Sequence, residues 1–325
     1  MAGDDRNLLR QAGRALLIAF ALVFRPRLGS VRKVLEEADV LTEEQAPEFF
    51  RLIRRTAEAI GAPMPHKIAI DAGYNASAGI IGPFRRRILL LGLPMLAVLR
   101  PQERVALLGH ELGHYINRDS HRSLSTQPAL KAFGTAARLL SPNGLRDTAR
   151  GSEGLVGVMV LVSATVLAPF MYAASHLLWL CHLGVNIIGA RVAQRAEYYA
   201  DDLAARAGGS AAAASMMDVF VDATGFTTII GARSRNQERA DGWRRGVEKS
   251  RANNAGRMHR LRQLSIRTET GVFASHPPAG LRHRLIQSAP YRTAGVVLTA
   301  AESAAIDAEL SAYEERYRRE IAASW

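Results

Sequence analysis

The sequence predicts a mainly α protein of the α+β kind: helices, a small β-sheet and an apolar helical hairpin inserted late in the chain. Three observations predict it. Short β-prone runs, Lys67 to Asp71 and Arg87 to Leu91, follow the breaker Gly61-Ala62-Pro63-Met64-Pro65. A helix with clear start signals opens at Pro101, and a tract from Leu155 to Ala190 contains no Asp, Glu or Lys.

The elements follow in chain order. Ala15 to Phe24 is apolar but only ten residues long, between Arg6, Arg10, Arg14 and Arg25, Arg27. It is too short to span a bilayer and lacks a small-x-small cleavage site, so residues 1–30 are expected to form a basic, apolar helix at an interface. Val31 to Ile60 reads as helix, with Thr42 as N-cap ahead of Glu43 and Glu44. The two strands are expected to be neighbours in a small sheet. Pro101 suits the first turn of the next helix, Glu103 favours its positive end, and Val105, Ala106, Leu107 and Leu108 supply a buried face. Arg195 to Ala205 is helical by propensity, and Ala211 to Ala214 is strong helix former without a functional reading. Ala300 to Ile321 is expected to close the fold as an amphipathic helix. The predicted division is thus residues 1–30, a domain over 31–290 with an apolar insertion at 155–190 and a basic segment at 231–268, and a C-terminal helix within 291–325.

Composition bounds the function. Apolar residues make up 48% of the 325, enough for a sizeable core. The single cysteine, Cys181, cannot form an intramolecular disulfide, and its apolar surroundings predict a buried thiol. The net charge of +12 favours phosphate-rich partners, nucleic acid or anionic lipid. Much of the excess lies in Arg233 to Arg267, interrupted by Gly242, Gly246, Asn253, Asn254 and Gly256 and holding one aromatic residue, Trp243. That composition predicts a mobile basic linker or surface helix with a lipid-facing or solvating role, and no nucleic acid is expected.

The chemistry sits in His110-Glu111-Leu112-Gly113-His114. Two histidines four residues apart project from one helical face and can grip one metal ion, while Glu111 is offset toward a water on that ion: the H-E-x-x-H pattern of a zinc peptidase. Gly109 and Gly113 would each weaken an ordinary core helix by about 1 kcal/mol relative to alanine, which points instead to close packing around a site. Of the nine histidines, His66, His121 and His259 lack ligand spacing and read as surface residues. A catalytic zinc needs a third protein ligand. Asn117 and Ser120 stand where a metzincin would have glycine and histidine, which excludes that class. Much later in the chain, Glu197 and Asp201 lie one turn apart on a shared helix face, and Glu197 is assigned as third ligand, Asp201 to accept the other ring proton of a ligand histidine.

Together these residues resemble the HtpX-like and CAAX prenyl endopeptidase family of gluzincin metallopeptidases. Asn75-Ala76-Ser77-Ala78 resembles its Asn-Ala-x-Ala segment and Arg87 to Leu93 the strand that follows. Val105 to Asp119 resembles its zinc helix with an Asn-x-Asp tail, Glu197 to Asp201 its E-x-x-x-D element, and Ser275-His276-Pro277-Pro278 with Arg282 its late His-Pro element. The coverage runs from about Leu41 to Ile286; His283 stands where the family usually has an aliphatic residue. The resemblance implies a zincin-type catalytic domain, one Zn2+ per chain, His276 and Arg282 facing the oxyanion or the substrate carbonyl, and Asn75, Ala76, Ser77 and Ala78 lining an extended peptide substrate.

His110 and His114 precede the apolar tract and Glu197 follows it, so the chain must return to the side it left. A hairpin of two helices breaking near Ala168-Pro169, or a shallow re-entrant pair, satisfies this, and the resemblance implies a membrane hairpin at this place. Arg146 and Arg150 before the tract, with Arg191 and Arg195 after it, place that side in the cytoplasm, under a cell (inner or plasma) membrane. The expected activity is hydrolysis of peptide bonds by metal-activated water with Glu111 as general base, on peptide or protein substrates that include membrane proteins. The alternatives are a non-catalytic metal-binding membrane scaffold and a basic lipid- or nucleic-acid-binding protein.

Overall fold

Start and stop chemistry accounts for most of the helices in the computed structural model, which describes residues 31, 35–82, 84–116, 119–141, 155–269, 271 and 276–324, with 119–128 and 155–167 described by backbone alone. The expected interfacial helix over 1–30 lies outside these residues. So do Asn117, Arg146, Arg150, Ser275 and the side chain of His121.

Two units are distinguished, residues 28–120 with 192–325 and, separately, residues 121–191 with 1–27. The larger begins with strand β1 (Asp39–Leu41) and helix α1 (Pro47–Ile60). One helix over 31–60 was expected, and the structure replaces its first half with a strand and a turn. The reason is Pro47, which occupies the first turn of α1 and disfavours helix in the residue before it. Thr42 is therefore not an N-cap; its N–H bonds to the Gln45 side chain.

Strands β2 (Lys67–Asp71), β3 (Ala76–Ile81) and β4 (Arg86–Gly92) complete a four-stranded mixed sheet of order β1-β2-β4-β3. β2 runs parallel to β4, with Lys67 opposite Ile88, and β3 runs antiparallel to β4, with Ala76 opposite Leu91 and Ile81 opposite Arg86. β3 is thereby an edge strand. A short helix, α2 (Leu93–Val98), leads into α3 (Pro101–Ile116), whose Val105, Ala106, Leu107, Leu108 and Leu112 are fully buried. Glu103 on its first turn receives two hydrogen bonds from Arg251, at 2.7 and 2.9 Å.

Helices α4 (Asp119–Leu140) and α5 (Leu155–Gly208) lead away from the larger unit and back to it. Within the smaller unit they pair antiparallel: His182 Nδ1 lies 2.9 Å from the Leu130 carbonyl, and the Ser175 hydroxyl donates to the carbonyl of Ala137 at 2.8 Å. The expected break near Ala168-Pro169 does not exist, because α5 is continuous through Pro169. A proline removes one backbone donor and crowds one carbonyl, which bends a long helix without ending it. The second arm of the hairpin is α4, not the first half of the apolar tract. Among the described residues one helical stretch, Ala168–Gly208, is long and apolar enough to cross a membrane. Phe170, Tyr172, Leu177, Trp179, Leu180 and Ile188 on it are exposed. Cys181 shares this exposure, so the expected buried thiol is corrected to a surface one.

The larger unit continues with α6 (Ser210–Val221), α7 (Ala223–Arg235), α8 (Ala240–Asn254), a 3-10 turn (Ala255–Arg257), α9 (Met258–Thr268), α10 (Ala279–Ser288) and α11 (Ala300–Ser324). Of the two forms expected for the basic segment, mobile linker or surface helix, it takes the helical one, as three packed helices. Trp243 and Val247 are fully buried, and a Cβ on Gly246 would stand 2.7 Å from Ile229. Its arginines are held by carboxylates elsewhere in the fold: Arg251 by Glu103, Arg244 by Asp307, Arg239 by Glu315.

Candidate metal centre

Small residues set the position of the two helices that build the centre. A Cβ on Gly109 would lie 2.7 Å from Ala207 Cβ, one on Gly113 would lie 2.9 Å from Leu203, and one on Gly208 would meet the backbone of Ala106 at 2.8 Å. α3 and the last turns of α5 therefore touch almost backbone to backbone. That contact carries His110 and His114 to Glu197, across 87 and 83 positions of sequence (197 − 110 and 197 − 114).

The three side chains offer ligand atoms that all lie within 4.8 Å of one another. His110 Nε2 is 3.3 Å from His114 Nε2 and 3.5 Å from Glu197 Oε2, and His114 Nε2 is 3.7 Å from Glu197 Oε1. Glu197 and His110 are buried, at 4% and 5% exposure. Glu197 Oε2 is enclosed yet accepts no hydrogen bond, although Arg282 Nη1 stands 3.2 Å away. A buried carboxylate whose Oε2 makes no hydrogen bond and whose two oxygens face one imidazole nitrogen each is a candidate socket for a cation, and this mixed nitrogen and oxygen set suits a divalent transition metal.

Around these three, Asp201 sits one turn beyond Glu197. Its Oδ1 is 3.1 Å from His110 Nδ1, and it accepts two hydrogen bonds from Arg282, Nη2 to Oδ1 at 2.6 Å and Nε to Oδ2 at 2.8 Å. Arg282 is buried at 6% exposure on α10. The oxyanion contact that the resemblance implies for Arg282 thus meets a guanidinium whose Nε and Nη2 both serve Asp201. His276 differs: its side chain is 71% exposed, with Nδ1 3.0 Å from Glu197 Oε1. Glu111 is buried at 6% beside the histidines. Asn75 precedes edge strand β3, which holds Ala76, Ser77 and Ala78, and the Asn75 carbonyl accepts the Gly92 N–H at 2.8 Å.

The charges shift one another. Burial alone would lower the His110 pKa, but the Asp201 and Glu197 carboxylates facing its two ring nitrogens outweigh it and push the ring up to about 9. Burial would raise Glu197, yet the facing imidazoles of His110 and His276 and the Arg282 charge hold it far below the usual carboxylate range. Asp201 is likewise lowered, its burial overcome by Arg282 and His110. The hydrogen bond to Glu197 raises His276 against a smaller opposing effect of burial.

Two features had little or no sequence signal. The Asp201–Arg282 clamp joins residues 81 apart, which no local pattern announces. Tyr115, next to His114, buries a hydroxyl without a hydrogen-bond partner; burial, then the charge of Glu111, raises its pKa. Only its place one turn after Glu111 could have flagged it. His283 is buried at 3% with Nε2 3.8 Å from Asp218, a polar partner where an aliphatic residue would have none.

Two helices that bring an H-E-x-x-H pair and a distant glutamate to one point form a candidate metal centre of the kind found in metallopeptidases. The model of Peptidase family M48 matches residues 43–289, and the chain belongs to that family. It is similar to a "Protease HtpX homolog" of Thermococcus sibiricus, 27% identical over 179 residues, which covers 53% of this chain and 56% of the relative. A second "Protease HtpX homolog", from Streptococcus equi subsp. equi, is 25% identical over 194 residues, covering 57% of this chain and 60% of the relative. The chain thus matches less than two thirds of the length of these curated relatives. No solved structure matches it.

Proposed function

We propose that this protein is a zinc-dependent endopeptidase associated with the cell membrane, its metal held by His110, His114 and Glu197. The observation that carries the reading is the convergence of these three donors within 4.8 Å, with a carboxylate oxygen of Glu197 buried and without a hydrogen-bond donor. Family membership supplies the class of reaction. When bound, zinc would supply Lewis acidity, acidifying water toward a pKa of about 7 and polarising the scissile carbonyl.

The chain's own residues do the rest. The Glu111 carboxylate takes a proton from the attacking water and delivers it to the leaving amine nitrogen. Asp201 holds His110 through Nδ1, fixing the ring so that Nε2 faces the metal. Arg282 acts as a positioning residue, since its two-point grip on Asp201 and its charge beside Glu197 keep both carboxylates ionised. His276 is the exposed donor with room to face a substrate carbonyl oxygen. The substrate peptide extends along Asn75, Ala76, Ser77 and Ala78, adding a strand to the open edge of β3.

The apolar side chains exposed around α5, Phe170, Leu177, Trp179 and Leu180 among them, lie in lipid in this reading, because exposing so many large apolar groups to water is unfavourable. Arg191 and Arg195 follow that face, which puts its C-terminal end, and the catalytic residues beyond it, on the cytoplasmic side. Peptides and proteins, membrane proteins among them, are the proposed substrates. The test is casein cleavage by the purified chain, abolished by a chelator and restored by zinc. Cleavage that persists after complete metal removal would overturn the reading.

A further inference from the structure

The hairpin between β3 and β4 ends in a turn with no role in the chemistry above. Its closing hydrogen bond runs from the Arg85 N–H to the Gly82 carbonyl at 3.1 Å. Both flanking residues hold left-handed backbone, Gly82 at φ 77° and Arg85 at φ 52°, which fixes the turn. Phe84 within it is 83% exposed, the most exposed large apolar side chain among the described residues. Exposed cations lie at the same end of the sheet. Arg86 opens β4, and Lys67 begins β2 at the same end of the sheet, since it pairs with Ile88. Among the described residues neither Lys67 nor Arg86 forms an ion pair with a carboxylate. The arginines of the α7–α9 segment contrast with this, several being matched by acids.

We propose that this turn is an anchor for anionic lipid headgroups, with Phe84 entering the interfacial layer and Lys67 and Arg86 binding phosphate. An aromatic ring at headgroup depth flanked by cations is the arrangement that an anionic bilayer surface stabilises. An acidic peptide would account for the cations but not for a phenyl ring held at the apex in water. The inference goes beyond the proposed membrane helix and does not need it: it concerns the larger unit, and the turn would carry its chemistry even in a chain whose α5 did not insert. An anchor here holds the end of edge strand β3, and with it the proposed substrate edge, near the membrane surface.

The test uses the full chain with Cys181→Ser and Phe84→Cys, the new thiol carrying an environment-sensitive fluorophore. The chain is reconstituted into phosphatidylcholine vesicles with and without phosphatidylglycerol. Expected is a blue shift, with quenching by nitroxide-bearing lipids, in the anionic vesicles. Adding Lys67→Glu and Arg86→Glu lowers the fraction of inserted turns by roughly tenfold, as does omitting the anionic lipid. Unchanged melting and unchanged casein cleavage in detergent show that the variants are folded. Water-like emission in anionic vesicles overturns the proposal, as does equal insertion in both lipids or quenching protection that appears only with an acidic peptide. Carbonate-resistant flotation of the same sample reports on α5 separately, so failure of the helix and failure of the turn give different results.

Discussion

The metal centre and the apolar stretch of α5 invert the usual order of a protein in opposite ways. At the centre, His110, Glu111, Glu197, Asp201 and Arg282 are charged or polar and nearly inaccessible. Along α5, Phe170, Leu177, Trp179 and Leu180 are apolar and exposed. Each inversion is unfavourable in water without a partner, and in the proposed reading that partner is a cation for the first and hydrocarbon for the second. A polar cluster enclosed by protein must satisfy itself from within, which is why the centre is so heavily cross-linked. The α5 face has no such cross-links among its apolar side chains and relies on its surroundings.

The largest expected effect breaks the centre's chemistry without touching its architecture. Glu111→Gln should lower turnover by about 10²–10⁴-fold while retaining metal, checked by casein cleavage beside elemental analysis. Glu197→Ala should abolish stoichiometric metal binding, and full zinc content in that variant would show that another side chain closes the triad. Asp201→Asn keeps the shape but weakens the hold on His110, and metal affinity should fall by about 10- to 100-fold in a competitive chelator titration.

Protons offer a subtler probe. In the metal-free chain His110 titrates at about 9, above its ordinary 6.5, so at neutral pH the metal must displace a proton. Apparent affinity should therefore rise with pH up to about 9, and calorimetry in two buffers of different ionisation enthalpy should detect the proton released. The same shift has a stability consequence for the metal-free chain. His110 has a raised folded pKa, so its contribution is complete below 6.5 and disappears as pH climbs through about 9. Glu197 has a lowered one, so its contribution is present above 4.5 and lost as pH falls. The smallest effect belongs to the other region. Replacing Trp179 and Leu180 by serine should change the stability of the detergent-solubilised chain only slightly, by about 0.5 kcal/mol or less, since each is more than half exposed. Membrane retention is where these substitutions should register.

The same contrast explains what was legible in the sequence. The H-E-x-x-H helix could be read because its signals are local: Pro101, Glu103 and an apolar run, with two glycines that mark a close neighbour. Glu197 and Asp201 could be read because they share one helix face. The start of α1 could also have been found, from Pro47, had its effect on Ala46 been weighed against the attraction of Thr42 as a cap. Other features depend on the partner, which sequence order hides. Gly242 and Gly246 look like breakers until Ile229 is seen against Gly246. The arginines of α8 look like a free basic surface until Glu103, Asp307 and Glu315 arrive from distant elements. Pro169 looks like a hairpin turn because one lost backbone bond is visible in sequence and the many retained around it are not.

The close approach of Gly109 and Gly113 on α3 to α5, and of Gly208 on α5 to α3, bears on which ion the protein can choose. With only Ala106, Leu203 and Ala207 side chains and bare backbone packed against these glycines, the spacing of the donors is held by tight steric contact. Calcium seeks about 6–8 oxygen ligands at bonds of about 2.3–2.6 Å in a yielding cage, whereas zinc accepts about four ligands at nearly 2.0 Å. A stiff, tight socket of two nitrogens and one carboxylate therefore sorts ions by radius and coordination number, and bulkier residues at those glycines would loosen that sorting before they unfolded the chain.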